Sequence, residues 1–397
     1  MRWMLTAAVA AGTALGAQVA PSPWTMQSSG VTVTLRGVSA ASDAAAWASG
    51  SRATVLRTTD GGRTWESKPV PDAPPNVDFR DVDAVSPEAA YLLGIGNGES
   101  SRIYKTTDGG AHWEAQFLNK DPKVFLDAMA FADPDHGVVI GDSIGDQFFV
   151  LKTDDGGRTW ARIPPGAMPA ALPNEGAFAA SGTNVAYLGS DIWIGTGAST
   201  SSRVLHSADR GRMWTVVDAP IPANSSSGIF SIAFRDPQHG VIVGGDYRKE
   251  TEAVDNVATT SDGGRTWQPV KDRALSGFRS VAAYLPHAKT PALIAIGPQG
   301  ADVSEDDGRT WTPLGAEGFH TFSFSPSGAV GWGAGNRGKI GRLDAGAWQR
   351  IPCRPYLIKS PLPSCASDRR VLFDQRAGSY PTASWGSIIQ ALATQII

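Results

Sequence analysis

The sequence predicts an all-β protein folded as a seven-bladed β-propeller. Three observations indicate this fold: one eight-residue motif recurs six times, a second pattern upstream of it recurs seven times, and glycine and proline are frequent, with 45 and 27 residues. Short strands joined by many turns have this composition, and a repeat of about 40–50 residues is the length of one four-stranded propeller blade.

The eight-residue motif has one aspartate and one tryptophan at fixed places. Its copies are TTDGGRTW (58–65), TTDGGAHW (106–113), TDDGGRTW (153–160), SADRGRMW (207–214), TSDGGRTW (260–267) and SEDDGRTW (304–311). The aspartates, spaced 44 to 54 residues apart, are Asp60, Asp108, Asp155, Asp209, Asp262 and Asp306, and the tryptophans are Trp65, Trp113, Trp160, Trp214, Trp267 and Trp311. An aspartate that accepts backbone N–H bonds, a glycine with positive φ and a tryptophan that begins the next strand predict a hairpin turn. We therefore assign these residues to the architecture.

The motif resembles the Asp-box, or bacterial neuraminidase repeat, of sialidases and other propellers. His112 and Met213 stand where the Asp-box has threonine, and we expect them to weaken their turns slightly. A seventh copy, LDAGAW (343–348), is degenerate, because one residue between glycine and tryptophan is missing.

The second pattern is an alternating apolar segment that we interpret as the innermost strand of each blade. Its seven copies are LRGVSA (35–40), FRDVDA (79–84), FLDAMA (125–130), NEGAFAA (174–180), FSIAF (230–234), FRSVAA (278–283) and FHTFSF (319–324). Trp24 is placed like an Asp-box tryptophan without its turn. We expect its segment to pair with the last blade and close the ring, which removes open sheet edges.

The two ends of the chain differ from the repeat region, which we place at residues 24–350. Arg2, an apolar stretch from Trp3 to Leu15 and small residues up to Ala17 predict a signal peptide over residues 1–17, and therefore an extracytoplasmic protein, periplasmic or secreted. An uncleaved N-terminal anchor is the alternative. Residues 351–397 show no repeat, and a disulfide between Cys353 and Cys365 is plausible in an oxidising compartment.

Charge and motifs exclude several classes of function. The net charge is −3 with no run of Lys or Arg, so we expect no nucleic-acid partner, and we expect a monomer. The segment GAGNRG (333–338) matches a dinucleotide-binding pattern, but a strand and not a helix follows it, so we expect no cofactor. The six histidines form no metal-binding pattern, and we expect no metal site.

A ring of side chains is expected where the innermost strands begin, since seven equivalent positions converge on the central channel of a propeller. Alignment of the seven units places at this position Arg36, Arg80, Leu126, Glu175, Phe230, Arg279 and His320. Three guanidinium groups in one ring could bind carboxylates or sulfate, as in an anionic small molecule or a glycan. Structural pairing of these arginines with Asp81, Asp127 or Glu175 is an equally supported alternative.

The Asp-box resemblance raises the possibility of a glycan-acting hydrolase. Sialidases hold the substrate carboxylate with three arginines, but they carry an Arg-x-Pro near the first strand and a Tyr–Glu pair, and neither can be placed here. Xyloglucan-type hydrolases use two propellers, and this chain has one. Loop acids that could serve a hydrolase are Asp142, Asp146, Glu250, Glu252 and Asp255. A hydrolase requires two carboxyl groups about 5–9.5 Å apart in the channel mouth.

The order of FRDVDA, RIYKTTDGGAHWE, FLDAMAFADPDHGVVIGD, FAASGTNVAYLG and SGIFSIAFRDPQHGVIVGGDYRK, within residues 24–350, resembles the photosystem II assembly and stability factor type of propeller. That resemblance implies a non-catalytic extracytoplasmic assembly protein that binds a nascent membrane subunit through an arginine-rich patch. Arg36, Arg80 and Arg279 are the positions that could form such a patch. We therefore predict an exported scaffold whose partner is an envelope or membrane protein, with the glycan-acting hydrolase as the alternative.

Overall fold

The computed structural model describes residues 22–348, and within them the strands form seven four-stranded antiparallel sheets. The prediction of an all-β, seven-bladed propeller is confirmed. The predicted signal peptide, residues 1–17, and the tail, residues 351–397, with Cys353 and Cys365, lie outside the described residues. Among residues 22–348, no helix has the length and apolar character needed to cross a membrane.

The strands follow one another from the channel outward in every blade except the seventh. Strand β1 (Trp24–Gln27) precedes blade 1, which contains β2 (Leu35–Ala40), β3 (Ala46–Gly50), β4 (Thr54–Thr58) and β5 (Glu66–Ser67). Blade 2 contains β6 (Asp78–Ala84), β7 (Ala90–Ile95), β8 (Arg102–Thr106) and β9 (Glu114–Leu118). Blade 3 contains β10 (Leu126–Phe131), β11 (Gly137–Ile144), β12 (Gln147–Thr153) and β13 (Ala161–Arg162). Blade 4 contains β14 (Val185–Leu188), β15 (Asp191–Gly195), β16 (Ser202–Ser207) and β17 (Thr215–Ala219).

The remaining blades repeat this arrangement. Blade 5 contains β18 (Ser227–Phe234), β19 (Gly240–Asp246), β20 (Val257–Thr260) and β21 (Gln268–Pro269). Blade 6 contains β22 (Val281–Tyr284), β23 (Leu293–Gly297), β24 (Gly300–Ser304) and β25 (Thr312–Gly315). Blade 7 contains β26 (Thr321–Phe324), β27 (Val330–Ala334), β28 (Ile340–Asp344) and, as its outermost strand, β1. Helical turns lie at Gly98–Ser100 and Asn336–Gly338, and a short helix, α1 (Ala345–Trp348), follows β28.

The first strand of the chain closes the ring, as predicted. Strand β1 pairs antiparallel with β28, with Trp24 opposite Leu343 and Gln27 opposite Ile340. The Trp24 side chain is buried and packs against Phe319 and Phe322, with ring centroids 4.6 and 5.8 Å apart. Because β1 occupies the outer edge of blade 7, the degenerate seventh repeat supplies no further strand within the described residues. Its tryptophan ends α1 instead.

The interpretation of residues 174–180 as the first strand of blade 4 is wrong. The innermost strand of that blade is β14, which begins only at Val185. Residues 176–184, which we call the plug segment, instead make hydrogen bonds to inner residues of other blades. This displacement decides the shape of the channel and is described with the site below.

Neighbouring blades are joined at their innermost strands by side chains that accept backbone N–H groups of the next blade. The carboxylate of Asp83 accepts the Phe131 N–H at 2.9 Å, across the boundary of blades 2 and 3. Serine hydroxyls do the same at three other boundaries: Ser323 to Ala40 N–H at 3.2 Å, Ser39 to Ala84 N–H at 3.0 Å, and Ser231 to Ala282 N–H at 3.0 Å. The polar side chains of the innermost strands therefore link neighbouring blades by hydrogen bonds. Without them, buried backbone N–H groups would be unpaired, which costs folding free energy.

The six Asp-boxes form the turns that the motif predicts. In the first, the Asp60 carboxylate accepts the Thr64 N–H at 3.0 Å and the Thr64 hydroxyl at 2.7 Å. Thr58 Oγ1 accepts the N–H of Gly62, whose φ of +81° favours glycine. The tryptophans pack between their own blade and the preceding one; Trp113, for example, lies edge-on to Trp47 at 5.8 Å. The box residues are structural, as predicted.

The two divergent boxes differ in their effect. His112 Nδ1 lies 2.6 Å from Asp108 Oδ2, where the threonine hydroxyl lies in other boxes, so the histidine replaces the missing hydroxyl contact at this turn. Met213 offers only its backbone N–H, at 2.9 Å from Asp209 Oδ1, and its side chain is 69% exposed. In all six boxes, the N–H of the residue after the aspartate donates to a backbone oxygen in the turn between the first two strands of the blade, as Gly61 N–H does to Ala44 O. The degenerate repeat keeps this bond, since the Ala345 N–H donates to Ala329 O at 2.9 Å.

Candidate functional site

The channel mouth is the end of the propeller where the innermost strands begin, opposite the Asp-box turns. A β-bulge lies at the start of the inner strand in four blades, at Arg36, Arg80, Asp127 and Phe230. Three of these are predicted ring positions. In blade 3, Asp127 and not Leu126 is the bulged residue, so the alignment of that blade was one residue out of register.

The plug segment crosses the central channel. The Arg80 guanidinium donates to Ala179 O at 2.5 Å from blade 2, and the Ser181 hydroxyl donates to Ser280 O at 2.6 Å in blade 6. Thr183 Oγ1 bonds Ser231 Oγ in blade 5 at 2.8 Å. The Thr321 hydroxyl of blade 7 donates to the plug segment at Ser181 O, at 3.2 Å. One segment is thus bonded to four other blades, which closes the channel below the mouth.

Gly182 allows the plug segment to pass close to blade 2. Its φ is +76°, and a Cβ at this position would lie 2.2 Å from Asp81 Oδ1. Only a glycine fits between the backbone and this buried carboxylate. The Asp81 carboxylate also accepts the Met129 N–H at 2.8 Å, and burial raises its pKa well above the usual value.

Glu175 does not belong to the ring of the mouth. Its side chain is buried and paired with Arg203, whose Nε lies 2.9 Å from Glu175 Oε1. The Thr196 hydroxyl and the Leu172 N–H complete its hydrogen bonds at 2.6 and 2.8 Å. This network anchors the chain just before the plug segment, which is a structural role.

Arg279 is also held in a buried ion pair. Its Nη2 lies 2.6 Å and its Nε 2.8 Å from Asp302 Oδ2, and the two side chains are 3% and 0% exposed. Nη1 donates to Phe278 O and Nη2 to Ser276 Oγ. The sequence allowed structural pairing but with the wrong partners, because Asp302 and Arg203 lie on third strands where no motif marks them.

Arg36, Arg80 and His320 remain together at the mouth. Burial and the nearby charge of Arg80 lower the pKa of Arg36 to about 10, and Arg36 Nε has no hydrogen-bond partner among residues 22–348. Arg80 Nε pairs with Asp78 Oδ2 at 2.9 Å. Burial, followed by the charge of Arg36, lowers the pKa of His320 to about 4, so its ring is neutral at pH 7 and its Nε2 lies 2.9 Å from Asn336 Oδ1.

Aromatic rings line the blade 5 side of the mouth. Phe178 of the plug segment stacks on Phe230 with centroids 4.0 Å apart, and Phe278 meets Phe230 edge-on at 4.7 Å. Tyr247, 41% exposed, lies edge-on to Phe178 and Phe230 at 6.4 and 6.2 Å. The mouth therefore combines partly exposed aromatic surface with a guanidinium, that of Arg36, whose Nε is unpaired within the part of the chain that the structure describes.

The loop acids named from the sequence do not form one cluster. Lys249 pairs with Glu252 and Lys271 with Asp255, while Gln299 donates to Glu250 at 2.7 Å. Asp142 is the exception: it lies beside the plug segment, and burial raises its pKa to about 6. No group of three or more His, Cys, Asp or Glu that could hold a metal ion occurs in the described range, 22–348.

A comparison with models of known protein families shows to which family this chain belongs. The family model described as "Photosynthesis system II assembly factor YCF48" matches residues 17–123 and 112–223, which together span more than half of the chain. The chain belongs to this family. The resemblance read from the inner-strand and Asp-box motifs is thereby confirmed. None of the curated proteins matches the chain significantly.

Solved structures of YCF48 are among those similar to this propeller. The structure titled "YCF48 bound to D1 peptide" is 20% identical, covers 82% of this chain and 98% of its own, and has a TM-score of 0.57. YCF48 from Cyanidioschyzon merolae is 17% identical, with 81% and 99% covered and a TM-score of 0.57. At these identities the likeness shows the fold alone.

An enzyme of the same architecture is also similar. The GH74 xyloglucanase from Xanthomonas campestris is 16% identical, with a TM-score of 0.56. The match covers 82% of this chain but only 54% of the xyloglucanase. The single propeller of this YCF48-family chain therefore corresponds to about half of that hydrolase.

Proposed function

We propose that this chain is a non-catalytic scaffold that binds a protein partner at the channel mouth. The observation that carries the proposal is Arg36, a half-buried guanidinium whose Nε has no hydrogen-bond partner within the described part of the chain. A buried, unsatisfied charged group is unfavourable in the free protein, and a carboxylate from a partner would satisfy it with charge-assisted hydrogen bonds. The D1 peptide bound by a YCF48 relative supports a polypeptide as the partner.

The surroundings of Arg36 favour an anionic group next to an apolar one. Arg80 lowers the Arg36 pKa, and Asp78, which is paired with Arg80, and Glu250 raise it by less; Arg36, which forms no ion pair among residues 22–348, is therefore the group that can attract negative charge. The partly exposed rings of Phe178 and Tyr247 offer flat apolar surface, and aromatic residues together with arginine are the side chains that most often anchor protein interfaces. We propose an acidic segment of an envelope or membrane protein as the partner.

Recovery of partners tests this proposal. Tagged protein with Arg36→Gln is compared with wild type in pull-downs from the native envelope, and Arg63→Gln is the matched control. Arg63 is an exposed arginine on the Asp-box face whose Nε donates to Asp60 O. A photo-crosslinking residue at exposed Arg337, in the helical turn that carries Asn336, identifies what touches the mouth. Equal recovery with Arg36→Gln and wild type contradicts the proposal.

A glycan-acting hydrolase is the second candidate, favoured by the structural likeness to a xyloglucanase. Asp127 and Asp142 are close enough for their charges to interact, but Asp127 is only 2% exposed and Asp142 lies against the plug segment. A buried carboxyl group cannot reach a glycosidic oxygen without opening of that segment. Release of reducing sugar from a panel of sialylated glycans and β-glucans decides between the two functions.

We further propose that the protein is exported, with residues 1–17 removed. Arg2, the apolar residues 3–15 and the small residues near Ala17 support this. The mass of the protein recovered from the periplasmic or secreted fraction tests it. A chain of full mass in the cytoplasm contradicts export, and a chain of full mass in the membrane fraction indicates the uncleaved anchor.

A further inference from the structure

Blade 3 carries two interacting carboxyl groups, Asp127 and Asp142, and Asp142 lies against the plug segment. Asp127, at the bulge of β10, is 2% exposed, and its Oδ2 makes no hydrogen bond among residues 22–348. Asp142 follows Gly141 on β11, which pairs with Leu126 next to the bulge. The register places the two side chains on adjacent strands, diagonally across the bulge, where the charge of Asp142 adds to the electrostatic cost of ionising Asp127.

The plug segment covers Asp142, the second member of this pair along the chain. Asp142 accepts the N–H of Ala177, and a Cβ added to Gly176 would lie 2.0 Å from Asp142 Oδ1, so the backbone rests directly on the carboxyl group. The next attachment is Arg80, which donates to Ala179 O. The first half of the segment is thus held by Asp142 from blade 3 and Arg80 from blade 2, and Gly176 exchanges two backbone hydrogen bonds with Gly197 of blade 4.

We propose that the plug segment is a pH-sensitive latch, closed over blade 3 while Asp127 and Asp142 hold protons and loosened as both carboxyl groups ionise. The latch concerns the free protein and does not depend on the proposed partner. Its consequence for the mouth is direct, because opening would release Arg80 from Ala179 O and move Phe178 off Phe230.

The direction follows from burial. Desolvation raises the pKa of Asp142 to about 6 and that of Asp127 well above its usual value, with the charge of Asp142 adding to the shift of Asp127. An open segment would return water to Asp142 and let its pKa fall toward the value of a solvated aspartate. The pKa of Asp142 is thus higher in the closed segment than in the open one. Protonation of Asp142 therefore stabilises the closed segment fully at pH values below the open-state pKa. This stabilisation is lost as pH rises through the closed-state pKa.

The other charges that face the pair do not reverse this direction. Arg80 of blade 2 lowers the pKa of Asp127, but less than burial raises it. Glu175, which precedes the segment, is committed to Arg203. Asp81 touches the segment at Gly182, and burial raises its pKa too, so its ionisation acts in the same sense.

Hydrogen exchange of the amides of residues 176–184, measured by mass spectrometry at pH 5 and pH 8 and corrected for intrinsic exchange rates, tests the latch. From the Asp142 shift alone we expect protection of the segment to fall about tenfold between these pH values. In a variant with Asp127→Asn and Asp142→Asn, the fall in protection should be markedly smaller than in wild type, because the amides keep the shape and the acceptor without the charge and Asp81 alone of the three carboxyl groups still titrates beside the segment.

The matched control is Asp83→Asn. Asp83 is another inner carboxylate whose pKa burial raises to about 6, but it accepts the Phe131 N–H and does not touch the plug segment. This variant should keep the full pH dependence of residues 176–184. The latch is refuted if wild-type protection is the same at both pH values, if the double variant keeps the wild-type dependence, or if Asp83→Asn abolishes it. Should the double variant not fold, Asp142→Asn alone carries the test.

Discussion

Replacement of Arg279 should lower the free energy of unfolding far more than replacement of Arg36, although the two arginines align in the sequence. Arg279 is 3% exposed at its side chain and makes hydrogen bonds to Asp302, Ser276 and Phe278 O. Arg279→Ala leaves the fully buried Asp302 carboxylate with Ser276 as its remaining partner. Loss of one member of a buried ion pair costs about 3–5 kcal/mol of unfolding free energy.

Arg36 gives the contrasting case. It forms no ion pair within residues 22–348, so Arg36→Ala removes no buried bond and should change stability by less than about 1 kcal/mol. A third variant, Arg279→Met with Asp302→Leu, removes both charges and should recover most of the loss, because no charge is then left unpaired.

Urea unfolding followed by circular dichroism and by tryptophan fluorescence measures these differences, and coincident transitions justify a two-state treatment. A loss below about 1 kcal/mol for Arg279→Ala, equal to that of Arg36→Ala, would refute a structural role for Arg279. The outcome also governs binding experiments, since a triple alanine variant that includes Arg279 would lose partners through unfolding.

Three further changes test other parts of the fold. Met213→Thr should stabilise the protein by about 0.5 kcal/mol, because the threonine hydroxyl can donate to Asp209 Oδ2 as the Thr266 hydroxyl donates to Asp262 Oδ2 at 2.7 Å. The reverse change, Thr266→Met, should destabilise the protein, and thermal unfolding measures both effects. Gly182→Ala should lower the free energy of unfolding by about 2 kcal/mol or more, because the alanine Cβ would meet Asp81. Gly166→Ala, also at positive φ but with no atom within 4 Å of the added Cβ, should lower it by about 1 kcal/mol. Similar losses for the two variants would contradict the close approach of Gly182 to Asp81. Asp83→Asn should raise the free energy of unfolding at pH 7 by about 1–3 kcal/mol and leave it nearly unchanged at pH 4. Burial raises the pKa of Asp83 to about 6, so its carboxyl group is charged and destabilising at pH 7 but protonated at pH 4 in the folded protein. Urea midpoints at both pH values test this.

The local features of this protein were predictable from sequence, because each is decided by residues close together in the chain. The Asp60 turn needs only Thr58, Gly62 and Thr64, and every copy repeats that short-range arrangement. Closure by the Trp24 strand was predictable because the tryptophan count exceeds the count of inner segments by one. The family assignment rests on the same repeated motifs.

The site was less predictable, because long-range contacts decide it. The alternation of NEGAFAA suits an inner strand, yet Glu175 is drawn to Arg203 on β16, and the following residues leave blade 4 for the channel. A β-bulge adds one residue to the inner strand, which shifted the alignment in blade 3 from Asp127 to Leu126. The alternating pattern fixes which residues face inward only where the strand has no bulge.

The closure of blade 7 has a consequence for synthesis. Strand β1 leaves the ribosome first, but its partner β28 is among the last segments of the propeller to be made, since Trp24 lies opposite Leu343. Until β28 is made, β1 has no partner strand and presents open edges, which can pair with other chains. The ring therefore cannot close until β28 has been translated.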